Sequence, residues 1–278
     1  MKKRSINRLL VILLVSAASG LWATTGIADL SRTIERSFSV AAGGTLDLET
    51  DKGSIEVRTS PDPRVDILID LEADTASKRK AREILDKFSV DIVQFENGVR
   101  IEARFDSDRA GFWDRDRKRL QVRFVIVVPQ QYDLNLRTSG GSINVADITG
   151  AVKSRTSGGG LRFGNIVGSL DAKTSGGSIR LANCSGPANV ETSGGSISIA
   201  TAAGPVNAKT SGGSINIYLP SEVGLEVDAK TSGGRVSTDF PVTVVGDLKR
   251  SALKGTISAG GPRMYLRTSG GNIRLLKH

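Results

Sequence analysis

Residues 138–155 read TSGGSINVADITGAVKSR, and residues 156–173 read TSGGGLRFGNIVGSLDAK. Thr-Ser-Gly-Gly starts at Thr138, Thr156, Thr174, Thr192 and Thr210, 18 residues apart each time, and again at Thr231 and Thr268, after gaps of 21 and 37. A fixed period marks a repeat architecture. Five residues after each Thr stand Ile143, Leu161, Ile179, Ile197, Ile215, Val236 and Ile273. Seven after stand Val145, Phe163, Leu181, Ile199, Ile217, Thr238 and Leu275, with polar residues such as Asn144 and Arg180 between the two columns. Apolar, polar, apolar is the period of a strand with one buried face.

A second strand leads into each Thr. Val152, Leu170, Ala188, Val206 and Val227 begin an inward file, and Ser154, Ala172, Val190, Ala208 and Ala229 continue it. Gly-Gly reads as the corner, through the freedom of glycine at positive φ. Gly150, Gly168, Gly186 and Gly204 mark another, after a further inward column of Ile148, Ile166, Cys184 and Ala202. A lone coil of this kind cannot bury its inner face, whereas stacked coils can. The expected fold is therefore all-β, a parallel β-solenoid of roughly 18-residue coils. A left-handed coil of three hexapeptides would repeat its apolar positions every six residues, and offsets 5, 7, 10, 14 and 16 do not. A right-handed or flattened coil is expected.

The 278 residues hold 8 Phe, 3 Tyr and 2 Trp, which suits a narrow aliphatic core. Lys2, Lys3, Arg4 and Arg8 precede the apolar run Leu9–Val15, and small residues surround Ala28. This pattern reads as a signal peptide over 1–28, cleaved after Ala28 or earlier near Ala18 or Ala23. The rival is an uncleaved anchor, the one route to a membrane. Either way the body is exported, to the periplasm or cell surface. Removing these four cations takes the net charge from +9 to +5. Nucleic acid is not an expected partner, since clustered cations with stacking aromatics are lacking.

Residues 29–136 carry the repeat in diluted form, as in Gly53-Ser54-Ile55-Glu56-Val57, and read as degenerate early coils. Residues 75–88 have helical composition, with Ala81, Ile84, Leu85 and Phe88 on one stripe, and are expected to cover the open end of the stack. Residues 106–119 form a charged loop around Phe112 and Trp113. Residues 137–278 hold the regular coils, with an insertion at 239–254 and an uncapped last coil open to edge-to-edge self-association.

His278 is the only histidine, so a Ser-His-Asp or Cys-His centre cannot form in the folded body. No catalytic residue, metal site or cofactor is expected. Cys184, the only cysteine, sits in an inward column and reads as a buried small hydrophobe. The enzymatic alternative is a polysaccharide-acting β-helix, which needs carboxylates on neighbouring rungs. Asp171 and Asp228 share a column three coils apart in chain order. Candidate partner contacts are Trp113 and an outward basic file of Arg137, Arg155, Lys173, Lys209, Lys230 and Arg267, interrupted by Glu191. The competing reading of that file is a solvated face that resists aggregation.

The Thr-Ser-Gly-Gly-Ser-Ile-x-Val coils, the Gly-x-Val-x-Ala return strands and the opening Gly44–Val57 match one known pattern. Over about residues 32–278 the chain resembles the bacterial putative-adhesin β-strand-repeat family, a domain of unknown function. The resemblance implies an exported solenoid with an adhesin-like, binding or scaffold role in the cell envelope. Partners would be an envelope polysaccharide or another protein. The alternatives are the polysaccharide enzyme and an envelope assembly protein stacking through its C-terminal edge.

Overall fold

The computed structural model describes residues 25–28, 30–106, 115–245 and 249–277. Two long sheets face each other. The lead-in sheet holds the strands that end on the Thr of each corner: Tyr132–Thr138, Val152–Thr156, Leu170–Thr174, Ala188–Thr192 and Val206–Thr210 lie side by side and parallel. The lead-out sheet holds the strands that follow each corner: Ile143–Val145, Leu161–Val167, Ile179–Cys184, Ile197–Ala202 and Ile215–Leu219. Register is set residue for residue by the period: Ile143 pairs with Leu161, Leu161 with Ile179, Ile179 with Ile197 and Ile197 with Ile215. Side chains at these positions are buried between the sheets, so a one-residue slip would turn the whole file outward. Ile148, Ile166, Cys184 and Ala202 form the expected further inward column.

The corner chemistry differs from the expectation. Of the seven Thr-Ser-Gly-Gly corners, only that of Gly141 carries a glycine at positive φ. The second glycine is required instead by close approach. A Cβ on Gly159, Gly177, Gly195 or Gly213 would fall well inside 3.0 Å of the preceding coil's glycine carbonyl. The Thr side chains hold the same corners. Thr156, Thr174, Thr192 and Thr210 are buried, and each donates its hydroxyl to a glycine carbonyl one coil back, at 2.7–2.9 Å.

Stack order is not chain order. The last coil does not end the stack. Arg263–Thr268 lies between Val206–Thr210 and Leu225–Thr231, and Ile273–Lys277 lies between Ile215–Leu219 and Val236–Thr238. Ile273 pairs with Ile215 on one side and Val236 on the other, so the expected open C-terminal edge is absent. The insertion supplies the end instead. Ala252–Ile257 runs antiparallel to Leu225–Thr231, and Val242–Val244 pairs antiparallel beyond it. Gly255-Thr256-Ile257 therefore belongs to this antiparallel cap and does not resume a coil. On the lead-in sheet these antiparallel terminal strands interrupt the parallel template on which another coil would grow, whereas the lead-out sheet ends on Val236–Thr238, parallel to Ile273–Lys277.

The other end follows the same plan. Gly44–Thr50 and Ser54–Ser60 form the coil next to Tyr132–Thr138, with Ile55 in register with Ile143. Gly98–Phe105 and Leu120–Pro129 lie outside it, parallel, although they come later in the chain. Antiparallel strands then finish both sheets: Phe88–Phe95 on the lead-in side, and Arg64–Ala73, Ser31–Ser39 and Thr25–Ala28 on the lead-out side. The helix Lys78–Leu85 joins Arg64–Ala73 in one sheet to Phe88–Phe95 in the other and buries Ala81, Ile84 and Leu85. It is shorter than the expected 75–88 because Ser77 caps its start and Phe88 already begins a strand. A second helix, Arg115–Arg119, is anchored by Asp116, 2.7 Å from Lys87 Nζ and 3.0 Å from Lys80 Nζ. Among the described residues no helix is long and apolar enough to cross a membrane.

Candidate functional site

The outer face of the lead-in sheet carries the basic file. Each return strand alternates, so the residue before its Thr points outward. Pairing sets the order as Arg137, Arg155, Lys173, Glu191, Lys209, Arg267, Lys230. Arg267 thus fills the position between Lys209 and Lys230, which the gaps in the sequence leave empty. From Arg137 to Lys230 there are six steps of about 4.8 Å, or roughly 29 Å. Beyond Arg137 the file continues into acids, Glu49 and then Glu102.

From Arg155 to Lys230 the file lines an open groove of about 620 Å³. Its other wall is the corner serines Ser175, Ser193, Ser211, Ser269 and Ser232, all exposed. Side-chain hydroxyls that both donate and accept therefore run beside the cations. Some of the charge is paired internally. Lys173 Nζ lies 3.1 Å and Lys209 Nζ 3.8 Å from the Glu191 carboxylate. Arg155 reaches Asp171 at 3.2 Å, and Arg267 reaches Asp228 at 2.7 Å. Arg137 and Lys230 make no ion pair among the described residues. Six cations thus face three carboxylates, Asp171, Glu191 and Asp228, and the face stays net positive.

The neighbouring file adds groups that the sequence reading passed over. Asn189 donates to Asp171 at 3.0 Å and Asn207 donates to Asn189 at 2.9 Å, giving a ladder parallel to the cations. Next in that file stands Tyr265, with the Arg267 guanidinium 3.8 Å from its ring centroid and Lys209 at 5.7 Å. Asn189, Asn207, Lys209 and Tyr265, with Pro187, Pro205 and Arg263, line a second cleft of about 460 Å³. Tyr265 stands two residues before Arg267 in the sequence, but its place beside Asn207 cannot be read there, because it depends on the late coil entering the stack.

That insertion also moves the acids. Asp171 is followed in register by Asn189, Asn207, Tyr265 and only then Asp228. The separation is four steps, about 19 Å, one more than chain order implies. Among the described residues no group of three His, Cys, Asp or Glu is placed to hold a metal ion. Trp113 lies outside the described residues. Cys184 is fully buried, and burial pushes its thiol pKa up, away from the reactive thiolate.

Among the solved structures that show likeness to the chain are three bacterial proteins. One is a putative cell adhesion protein from Clostridium sporogenes, 13% identical, with 88% of this chain and 99% of that chain covered and a TM-score of 0.33. Another is a putative adhesin from Bacteroides fragilis, 14% identical, with 90% and 100% covered and a TM-score of 0.32. The third is a putative adhesin from Parabacteroides distasonis, 11% identical, with 88% and 97% covered and a TM-score of 0.34. No curated protein matches the chain. The family model described as Toastrack DUF4097 matches residues 128–276, from the last strand before the regular coils to the end of the last one. The chain belongs to the Toastrack DUF4097 family.

Proposed function

We propose that this protein is an exported, non-catalytic binding module of adhesin type. In this reading it holds an acidic cell-envelope polysaccharide along the outer face of its lead-in sheet. The coils wind right-handed, in keeping with the general preference of parallel crossover connections. The observation that carries the proposal is the single outward file of cations on adjacent strands, beside a file of exposed serines. A linear polymer laid across the strands meets a cation or a hydroxyl at nearly every rung. Charge complementarity of this kind governs association rate and selectivity against neutral chains.

Export follows from residues 1–28, and cleavage after Ala28 would remove the strand Thr25–Ala28. The test is retention on immobilised polygalacturonate against neutral dextran, with and without added salt. Wild type is expected on polygalacturonate only, with release by salt, since exposed charges are screened within about 10 Å at 0.1 M. Lys173→Gln/Lys209→Gln/Arg267→Gln should abolish retention. Equal retention on dextran, or an unchanged triple variant, would sink the reading.

A further inference from the structure

At the insertion end of the stack, three chain segments bring arginines to one cleft of about 750 Å³. Arg235 follows the last corner, Arg250 precedes the capping strand, and Arg274 lies on the inserted coil. Backbone bonds fix the three segments together. The Val236 N–H donates to Arg250 O at 2.9 Å, the Ile273 N–H to Arg235 O at 3.0 Å, and Ser237 pairs with Arg274. The remaining lining is Ser232, Gly233, Gly234, Ser237 and Asn272, with no carboxylate. Arg274 donates to Asn216 Oδ1 at 3.4 Å. Among the described residues none of the three arginines meets an acid, in contrast to Arg155, Lys173, Lys209 and Arg267 of the basic file.

The cleft is built by departures from the repeat. After Gly-Gly the other corners carry Ser142, Gly160, Ser178, Ser196, Ser214 and Asn272, all small or short and polar, whereas this corner carries Arg235. Arg250 is delivered by the insertion, and Arg274 reaches the end only because the late coil enters the stack beside Val236–Thr238. An arginine trio that meets no carboxylate among the described residues calls for an external anion. Each guanidinium presents a planar fork of donors that suits carboxylate and phosphate alike. Three forks exceed the two oxygens of one carboxylate, while a phosphate offers three or more acceptor oxygens and a larger charge.

We propose that this end cleft binds a phosphate-bearing ligand, independently of the cation file. The test is calorimetric titration of the full chain with inorganic phosphate, together with co-sedimentation on phosphatidylglycerol and phosphatidylcholine vesicles. Wild type binds phosphate, and Arg235→Gln/Arg250→Gln weakens binding by at least about tenfold, the scale of losing a charge-assisted hydrogen bond. Arg250→Lys, which keeps the charge and loses the fork, falls between the two and needs no large refolding. Arg155→Gln, on the cation file, leaves phosphate binding unchanged. Capture by phosphatidylglycerol vesicles in addition assigns the phosphate to a lipid headgroup, and phosphate binding without capture assigns it to a soluble ligand. No phosphate binding by wild type, with or without vesicle capture, overturns the proposal. So does equal binding by wild type, Arg250→Lys and the double variant.

Discussion

Thr174 Oγ1 donates to the carbonyl of Gly159 at 2.7 Å and accepts the N–H of Gly177 at 3.4 Å. One hydroxyl thus ties a corner to itself and to the coil before it. The same bond to the earlier coil recurs from Thr138 to Gly53, Thr268 to Gly213 and Thr231 to Gly271. The last two cross 55 and 40 residues of chain, so the contact follows stack order and not sequence distance. Thr174→Val keeps the shape and leaves the half-buried Gly159 carbonyl without this donor. It should cost about 1–3 kcal/mol in urea unfolding. Thr174→Ser, which keeps the hydroxyl, should cost less than half of that.

The two corner glycines should separate cleanly. A Cβ on Gly158 would meet nothing nearer than 4.0 Å, whereas one on Gly159 collides with the Gly141 carbonyl. Gly159→Ala should destabilise by about 2–3 kcal/mol, because backbone and not a flexible side chain must move. Gly158→Ala should change stability by less than about 1 kcal/mol. Equal effects on thermal unfolding would remove close approach as the reason for the second glycine.

Ser154 is fully buried in a file whose neighbours are Leu136 and Ala172, and among the described residues its hydroxyl has no hydrogen-bond partner. An unpaired buried hydroxyl is a cost that alanine does not carry. Ser154→Ala should be neutral or stabilising by up to about 1 kcal/mol. A marked loss of melting temperature would show that the hydroxyl is engaged.

The Lys87 ammonium, hydrogen-bonded to the buried Asp116, holds that carboxyl below the ordinary range; Lys80 adds to the effect and burial opposes it. A depressed folded pKa contributes stability that is present above the unfolded value, about 3.9, and fades as pH falls through the folded one. Asp116→Asn should therefore be less stable than wild type at neutral pH, and the gap should close below about pH 4. Urea midpoints measured at neutral and acid pH check this. A gap that stays constant with pH would mean the ion pairs do not act as described.

The inward columns were legible in the sequence because a period of 18 repeats each of them four or five times over, so the sequence alone places Ile179 between Leu161 and Ile197. The buried Thr file was legible for the same reason. Two things were not. Glycine at a corner suggests positive φ, but a sequence cannot show that the Gly159 Cα lies against the Gly141 carbonyl of another coil. Repeats of equal sequence also do not record their order in space. Thr231 and Thr268 carry the same motif, and only the pairing of Thr210 with Thr268 shows which comes first. The cation file was therefore readable as a list of residues, while its continuity through Arg267 and the arginine cleft at its end were not.

Both candidate sites depend on the late coil standing between Val206–Thr210 and Leu225–Thr231, which makes that placement the central claim. It can be tested by cysteine pairing in a Cys184→Ala background. Lys209→Cys/Arg267→Cys places two thiols on adjacent rungs, about 4.8 Å apart along the stack and within disulfide reach. Lys209→Cys/Lys230→Cys places them two rungs apart, about 9.6 Å, beyond the roughly 7 Å limit between Cα atoms. Mild oxidation followed by mass spectrometry should show an intramolecular disulfide in the first variant and free thiols in the second. A disulfide between positions 209 and 230, with free thiols at 209 and 267, would contradict the interleaved stack and both sites built on it.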